Sequence, residues 1–280
     1  MVNSSKKFGF KTDKRGGRGV SPAISTVIVT AATVVLVLVA SQYAYRIMEQ
    51  NRGAAEFASA KKAMLKLNDS IWYVSDKPQT SRVTQLIANY GEVMLMSKAL
   101  NVTLTMNVDR SSASYSVLSG LIKYRISTNY VTYGDRYREI ILGDSRLIVT
   151  RGTEDLGVIV VEQQSSWVNV VLSYRVYVAK VYETISSGKN VTYVNVRIIK
   201  IEVPRDSIHI GELDIITKCV DRSTIVSYVF EVPSDGVTAV LNVKINESST
   251  DSWVSQPLKR GSVIFNVIVS VISVSVYGGR

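Results

Sequence analysis

The hydrophobic pattern divides the chain into three regimes. From Val20 to Tyr45 there are 26 residues without a charge. As a helix that run spans roughly 39 Å at 1.5 Å per residue, against about 20 apolar residues needed to cross a bilayer. A cleaved secretory signal has a shorter apolar core and a small-residue cleavage site; Ser41-Gln42-Tyr43 offers none, so the segment stays in the protein. Many of its residues are β-branched (Ile24, Val27, Ile28, Val29, Val34, Val35) and in water would favour a strand. In hydrocarbon a lone strand leaves its backbone groups unpaired, so the helix wins. Ser21-Pro22 supplies an N-cap and a proline at the first helical position.

The second regime is helical and amphipathic. Between Tyr45 and Val74 there is no proline, and Gly53 is the only glycine. Ala60, Met64, Leu67, Ile71 and Val74 form one apolar stripe, with Lys61, Lys62, Lys66 and Asp69 off it. Such a stripe needs a partner, either the following domain or a neighbouring subunit. Gly53 is the expected bend, and Pro78 stops the helix.

Beyond Pro78 the period changes to two. Leu100–Val108 alternates Leu, Val, Leu, Met, Val with Asn, Thr, Thr, Asn, the mark of a half-buried strand. Ala239–Ile245 repeats the pattern with Asn242 and Lys244 outside. Residues 174–185 and 191–203 read as a hairpin around a five-residue loop, 186–190. Ser234-Asp235-Gly236 and Tyr133-Gly134-Asp135 are turn signals. Residues 263–276 are apolar on both faces; they are too short and too rich in serine for a second span and read as a central strand. The predicted fold class is α+β. A long N-terminal transmembrane helix precedes a β-rich, sandwich-like extracellular head, with boundaries at 1–19, 20–45, 46–77 and 78–280.

Charge orients this arrangement. Lys6, Lys7, Lys11, Lys14, Arg15 and Arg18 precede the apolar run against Asp13, whereas only Arg46 and Arg52 follow it closely. The positive-inside rule places the leader in the cytoplasm and the remainder outside. Because the leader carries half of the net charge of +10, the chain gives no reason to expect a nucleic-acid partner. One cysteine, Cys219, excludes an intrachain disulfide and reads as a small buried hydrophobe; the lone His209 reads as structural.

The string Lys14-Arg15-Gly16-Gly17-Arg18-Gly19-Val20-Ser21-Pro22-Ala23-Ile24 resembles the class III signal of archaeal type IV pilins and archaellins. The resemblance covers residues 14–45. It implies cleavage by a prepilin peptidase between Gly19 and Val20, on the cytoplasmic side. It also implies retention of the apolar segment as the assembly helix, an assembly ATPase and membrane platform as partners, and self-association into a filament. Bacterial pilins carry Glu at the fifth mature position; here Ile24 stands there, which fits the archaeal members. A head of about 200 residues is large for a major pilin and suits a minor or tip subunit. Ala32, Ala40 and Ala44 offer small surfaces for close helix approach.

Asn68, Asn101, Asn190 and Asn246 head N-glycosylation sequons in the region expected outside the cell. The tyrosines at 124, 130, 133, 174, 177 and 193 suggest either an adhesive face or ordinary strand residues. No nucleophile elbow, phosphate loop or zincin motif occurs, and Asp135, Glu139, Glu154, Asp155, Glu212 and Asp214 are interleaved with basic residues. The chain therefore reads as a non-enzymatic, cofactor-free filament subunit serving adhesion or filament assembly. The alternative is a single-pass, membrane-anchored surface binding protein that never polymerises.

Overall fold

A computed structural model describes residues 22–186, 188–246 and 249–278. The chain divides after Met48 into two units. Helix α1, Pro22–Ser75, contributes to both; the second unit holds its C-terminal part and every strand.

α1 runs unbroken for 54 residues and ends three residues before Pro78, as the sequence predicts. The predicted stripe is the buried face: Ala60, Met64, Leu67, Ile71 and Val74 are buried, together with Phe57 and Ala63. Lys62, Lys66 and Asp69 lie on the exposed side. Its partner is the chain's own sheet. Burying each of the larger side chains stabilises this packing by about 1.5–3 kcal/mol.

Among the described residues twelve strands follow. They are β1 (Ser81–Val108), β2 (Ser111–Ser127), β3 (Arg138–Leu142), β4 (Ile148–Val149), β5 (Gly157–Gln164), β6 (Trp167–Tyr174), β7 (Val176–Ser186), β8 (Lys189–Glu202), β9 (Ser207–Val232), β10 (Ala239–Ile245), β11 (Ser249–Val254) and β12 (Gly261–Gly278). All belong to one hydrogen-bonded sheet, in the order β3-β5-β6-β2-β1-β9-β12-β8-β7-β4, with β10 added to β1 and β11 to β10. The strands are uneven in length. β1 has 28 residues and β9 has 26, because register shifts let each strand bend and pair with different neighbours along its length. β1 pairs with β9 over its first half and with β10 over Val102–Val108, its last quarter.

Two cores result. One lies beneath α1 and gathers side chains from β1, β2, β5, β6, β9 and β12, with Tyr124, Ile122 and Ile272 fully buried. The other contains no helix residue. There Leu104 and Met106 of β1 and Leu241 of β10 join Phe265 and Val267 of β12, Val194 and Val196 of β8, and Phe230 of β9. Its side chains come from β1, β7, β8, β9, β10 and β12 among other strands.

Residues 263–276 form a central strand: β12 pairs antiparallel with β9 and parallel with β8. Both expected partner strands of the hairpin at 174–203 exist as β7 and β8, but Ser186 pairs with Lys189, so the connection is tighter than five residues. Cys219 is fully buried in the first core, and burial pushes its thiol pKa up. His209 is half-buried, with Nε2 3.0 Å from Ser207 Oγ.

α1 continues through Gly53. This glycine is buried and faces Tyr130, whose Cβ, Cγ and Cδ1 lie 2.7 Å from where a glycine-replacing Cβ would sit. The absent side chain makes room for the ring. Helix propensity alone favours Gly53→Ala by about 1 kcal/mol, whereas overpacking costs about 1–3 kcal/mol. Because the clash is with the root of the tyrosine and not its tip, the substitution is expected to lower the thermal midpoint, as read by circular dichroism. A rise would show that the ring moves aside freely.

Candidate membrane and assembly helix

Every described side chain from Ile24 to Met48 is exposed. The run includes Val27, Ile28, Leu36, Leu38 and Val39, each more than half exposed. Its most apolar 18-residue window has a mean hydropathy of 2.4 and no buried residue. In water this is the surface least suited to exposure; in lipid it is solvated. Its few hydroxyls are turned inward: Thr30 Oγ1 donates to the Thr26 carbonyl and Thr33 Oγ1 to the Val29 carbonyl, each at 2.8 Å. That removes the cost of carrying an unpaired O–H into hydrocarbon. Tyr43 and Tyr45, both exposed, close the uncharged run. Such rings are enriched at a bilayer's edge. α1 is thus long and apolar enough to span a membrane. Ala32, Ala40 and Ala44 lie within the exposed run. The Gly19–Val20 cleavage site lies outside the described residues.

Where α1 enters the second unit, a carboxylate ties it to the sheet. Glu56 is buried, and its Oε2 accepts the Asn89 N–H at 2.8 Å. Its Oε1 accepts the Gly91 N–H at 2.9 Å, and the Tyr90 N–H reaches both oxygens at 3.0 and 3.1 Å. Tyr124 Oη also donates to Oε1, at 2.9 Å. The three N–H groups are free because β1 slips register against β9 between Ala88 and Val93. Gly91 allows the convergence, since a Cβ there would sit 2.3 Å from Tyr124 Oη. Burial, reinforced by Glu56, drives the Tyr124 phenol's pKa well up, so it remains a donor. Beside this cluster Gln50 Nε2 donates to the Asn129 carbonyl at 3.3 Å.

The other end of α1 has no basic residue in its last turn. Arg197, from β8, supplies the cation. It donates to Ser75 Oγ at 2.8 Å and pairs with Asp76 at 2.7 Å, its guanidinium 5.2 Å from the Trp72 ring centroid. Placing positive charge at a helix C-terminus is stabilising. Burial pulls the Arg197 pKa down, and Asp76 opposes that pull.

The four sequons fall in different environments. Asn68 is buried on the sheet-facing side of α1 and is pressed against Gly157; its Oδ1 has no hydrogen-bond partner. The folded domain leaves no room for a glycan there. Asn190 is half-buried, and its Nδ2 donates to the Arg260 carbonyl at 3.1 Å. Asn246 is exposed, but its amide bridges two strands. Oδ1 accepts the Asn101 N–H at 2.7 Å and Nδ2 donates to the Ala99 carbonyl at 3.2 Å. Asn101 is exposed on the polar side of β1.

The tyrosines fall in different environments. Tyr124 and Tyr174 are core residues, Tyr133 stacks on Tyr137 at 4.4 Å, and Tyr193 stacks on Tyr182 at 4.9 Å. Asp135, Glu139, Asp155, Glu212 and Asp214 are exposed, and Glu154 pairs with Arg146 at 3.1 Å. No group of three His, Cys, Asp or Glu side chains lies together among the described residues.

Glu56 escaped the sequence reading. The available signal was positional: it precedes Ala60 by four residues and so carries a charge onto the apolar stripe. Comparison with family models, with curated proteins and with solved structures finds no match to this chain.

Proposed function

We propose that the chain is a pilin-like subunit of a type IV pilus-related surface filament, of the archaeal type that its N-terminal signal resembles. The observation that carries this reading is the division of labour along α1. One half is apolar and uncovered from Ile24 to Met48, and the other is fixed into a large β-rich domain by Phe57–Val74 and Glu56. An anchor needs only the first property. A subunit drawn from the membrane by its head needs the lower part of that helix fixed within the head as well.

In this reading the prepilin peptidase cuts between Gly19 and Val20 and frees the Val20 amine. The assembly ATPase and membrane platform then lift the subunit. Its apolar helix exchanges lipid for the helices of neighbouring copies, with Ala32, Ala40 and Ala44 permitting close approach. The basic leader orients the head outward. In this reading the head is sandwich-like, a reading supported by its second core of strand residues from β1, β8, β9, β10 and β12. It serves adhesion or filament packing, and its size fits a minor or tip subunit.

Intact mass measurement on the chain isolated from native membranes tests this. The expected mature chain begins at Val20 and is recovered in sheared surface fibres. Recovery only as a solitary, full-length chain with Met1 or Val2 at its amino terminus would leave a plain surface anchor.

A further inference from the structure

We propose that Asn101 is the single position at which the folded head accepts an N-linked oligosaccharide. This rests on the head lying outside the cell and adds to that reading a choice among sequons which look equivalent in sequence.

The acceptor chemistry makes the choice. Asn Nδ2 must attack the anomeric carbon of an oligosaccharide carried on a lipid phosphate. A new N–C bond replaces the sugar's C–O bond to phosphate. The lipid phosphate leaves with that electron pair, and one amide proton passes to a base of the membrane transferase. The amide nitrogen is a poor nucleophile while it stays planar and conjugated, so the side chain must be reachable and free to turn.

Asn68 fails on access, being 6% exposed between α1 and β5. In Asn190 the nucleophilic nitrogen itself is bonded to the Arg260 carbonyl, and the residue is half-buried beside Gly261. In Asn246 both ends of the amide are held, by Asn101 N–H and the Ala99 carbonyl, and the residue sits at a left-handed φ of 47°. Turning that amide would undo the tie between β1 and the end of β10.

Asn101 differs on each count. It is exposed, and its side-chain amide has no hydrogen-bond partner among the described residues. Its backbone is already fixed by the bond to Asn246, so modification costs no tertiary contact. The sequon hydroxyl lies on the same side of β1: Thr103 is half-buried, and its Oγ1 shares a hydrogen bond with Ser116 Oγ at 3.0 Å at the surface. Residues two apart on a strand share a face, so acceptor and hydroxyl are presented together.

Glycopeptide mass spectrometry on the chain from its native membrane is the test, run beside external protease digestion of intact cells. Expected is one oligosaccharide on the Asn101 peptide, with the peptides of Asn68, Asn190 and Asn246 unmodified. Asn101→Gln and Thr103→Ala each lower the mass by that one oligosaccharide, and Thr103→Ser retains it. An unmodified Asn101 in chains whose heads the protease reaches overturns the assignment while leaving the filament reading intact; so does a glycan on Asn190 or Asn246. A head that the protease cannot reach overturns both.

Discussion

Replacing Glu56 with Ala lowers the thermal midpoint of the full-length chain in detergent by about 10 °C. The reason is the number of donors that lose one acceptor group. Asn89, Tyr90 and Gly91 direct backbone N–H groups at the carboxylate, and Tyr124 adds its hydroxyl from the core. A buried donor left unpaired costs about 1–3 kcal/mol. Water entering the gap relieves the more exposed of these, so the expected loss is about 4 kcal/mol, and in a domain of this size each kcal/mol moves the midpoint by about 2–4 °C. Glu56→Gln restores one acceptor oxygen but turns an amide NH2 toward the same N–H groups, and recovers less than half of the loss. Circular dichroism melts of the three chains under one condition decide it. A drop of under about 3 °C for Glu56→Ala would show that Phe57–Val74 alone holds α1 to the sheet.

The paired change Val35→Arg and Leu38→Arg detaches the chain from membranes. Both side chains are exposed near the middle of the uncharged run, 58% and 61% respectively, so neither makes a contact within the fold that the change would remove. Each arginine at the centre of a spanning helix costs about 2.5–3.5 kcal/mol of insertion, and two are expected to shift the partition by at least a thousandfold. Carbonate-washed membrane fractions should lose the variant. The second unit, measured by its melt, should be unaffected, because its cores lie wholly after Met48. Retention of the variant in washed membranes would mean that Ile24–Met48 is covered by protein and not by lipid.

The two results address different halves of one helix, and their separation has a structural basis. From Phe57 to Val74, α1 is a core element whose stripe faces β1, β2 and β12. From Ile24 to Met48 the same helix leaves its apolar side chains exposed. A single continuous helix therefore has to satisfy two solvents, and Glu56 lies at the first full turn committed to the protein interior.

How much of this was legible depends on the range of the forces involved. Lack of charge over Val20–Tyr45, the stripe from Ala60 to Val74, the stop at Pro78 and the alternation in Leu100–Val108 are local properties, and the sequence by itself determined the helix, its buried face and the β-rich remainder. It could not show that β1 begins at Ser81, since bulges at Ala88/Val93 and Met96/Leu100 interrupt the period of two. Nor could it show that Gly53 is a seat for Tyr130, 77 residues away. Only tertiary structure decided that β12 joins β9 and β8, that Glu56 is matched by three N–H groups of a bulge, and that Asn68 is interior while Asn101 is free. Each of these turns on which distant group completes a hydrogen bond or fills a space, and periodicity, which reports only which way a residue faces, carries no record of what it faces.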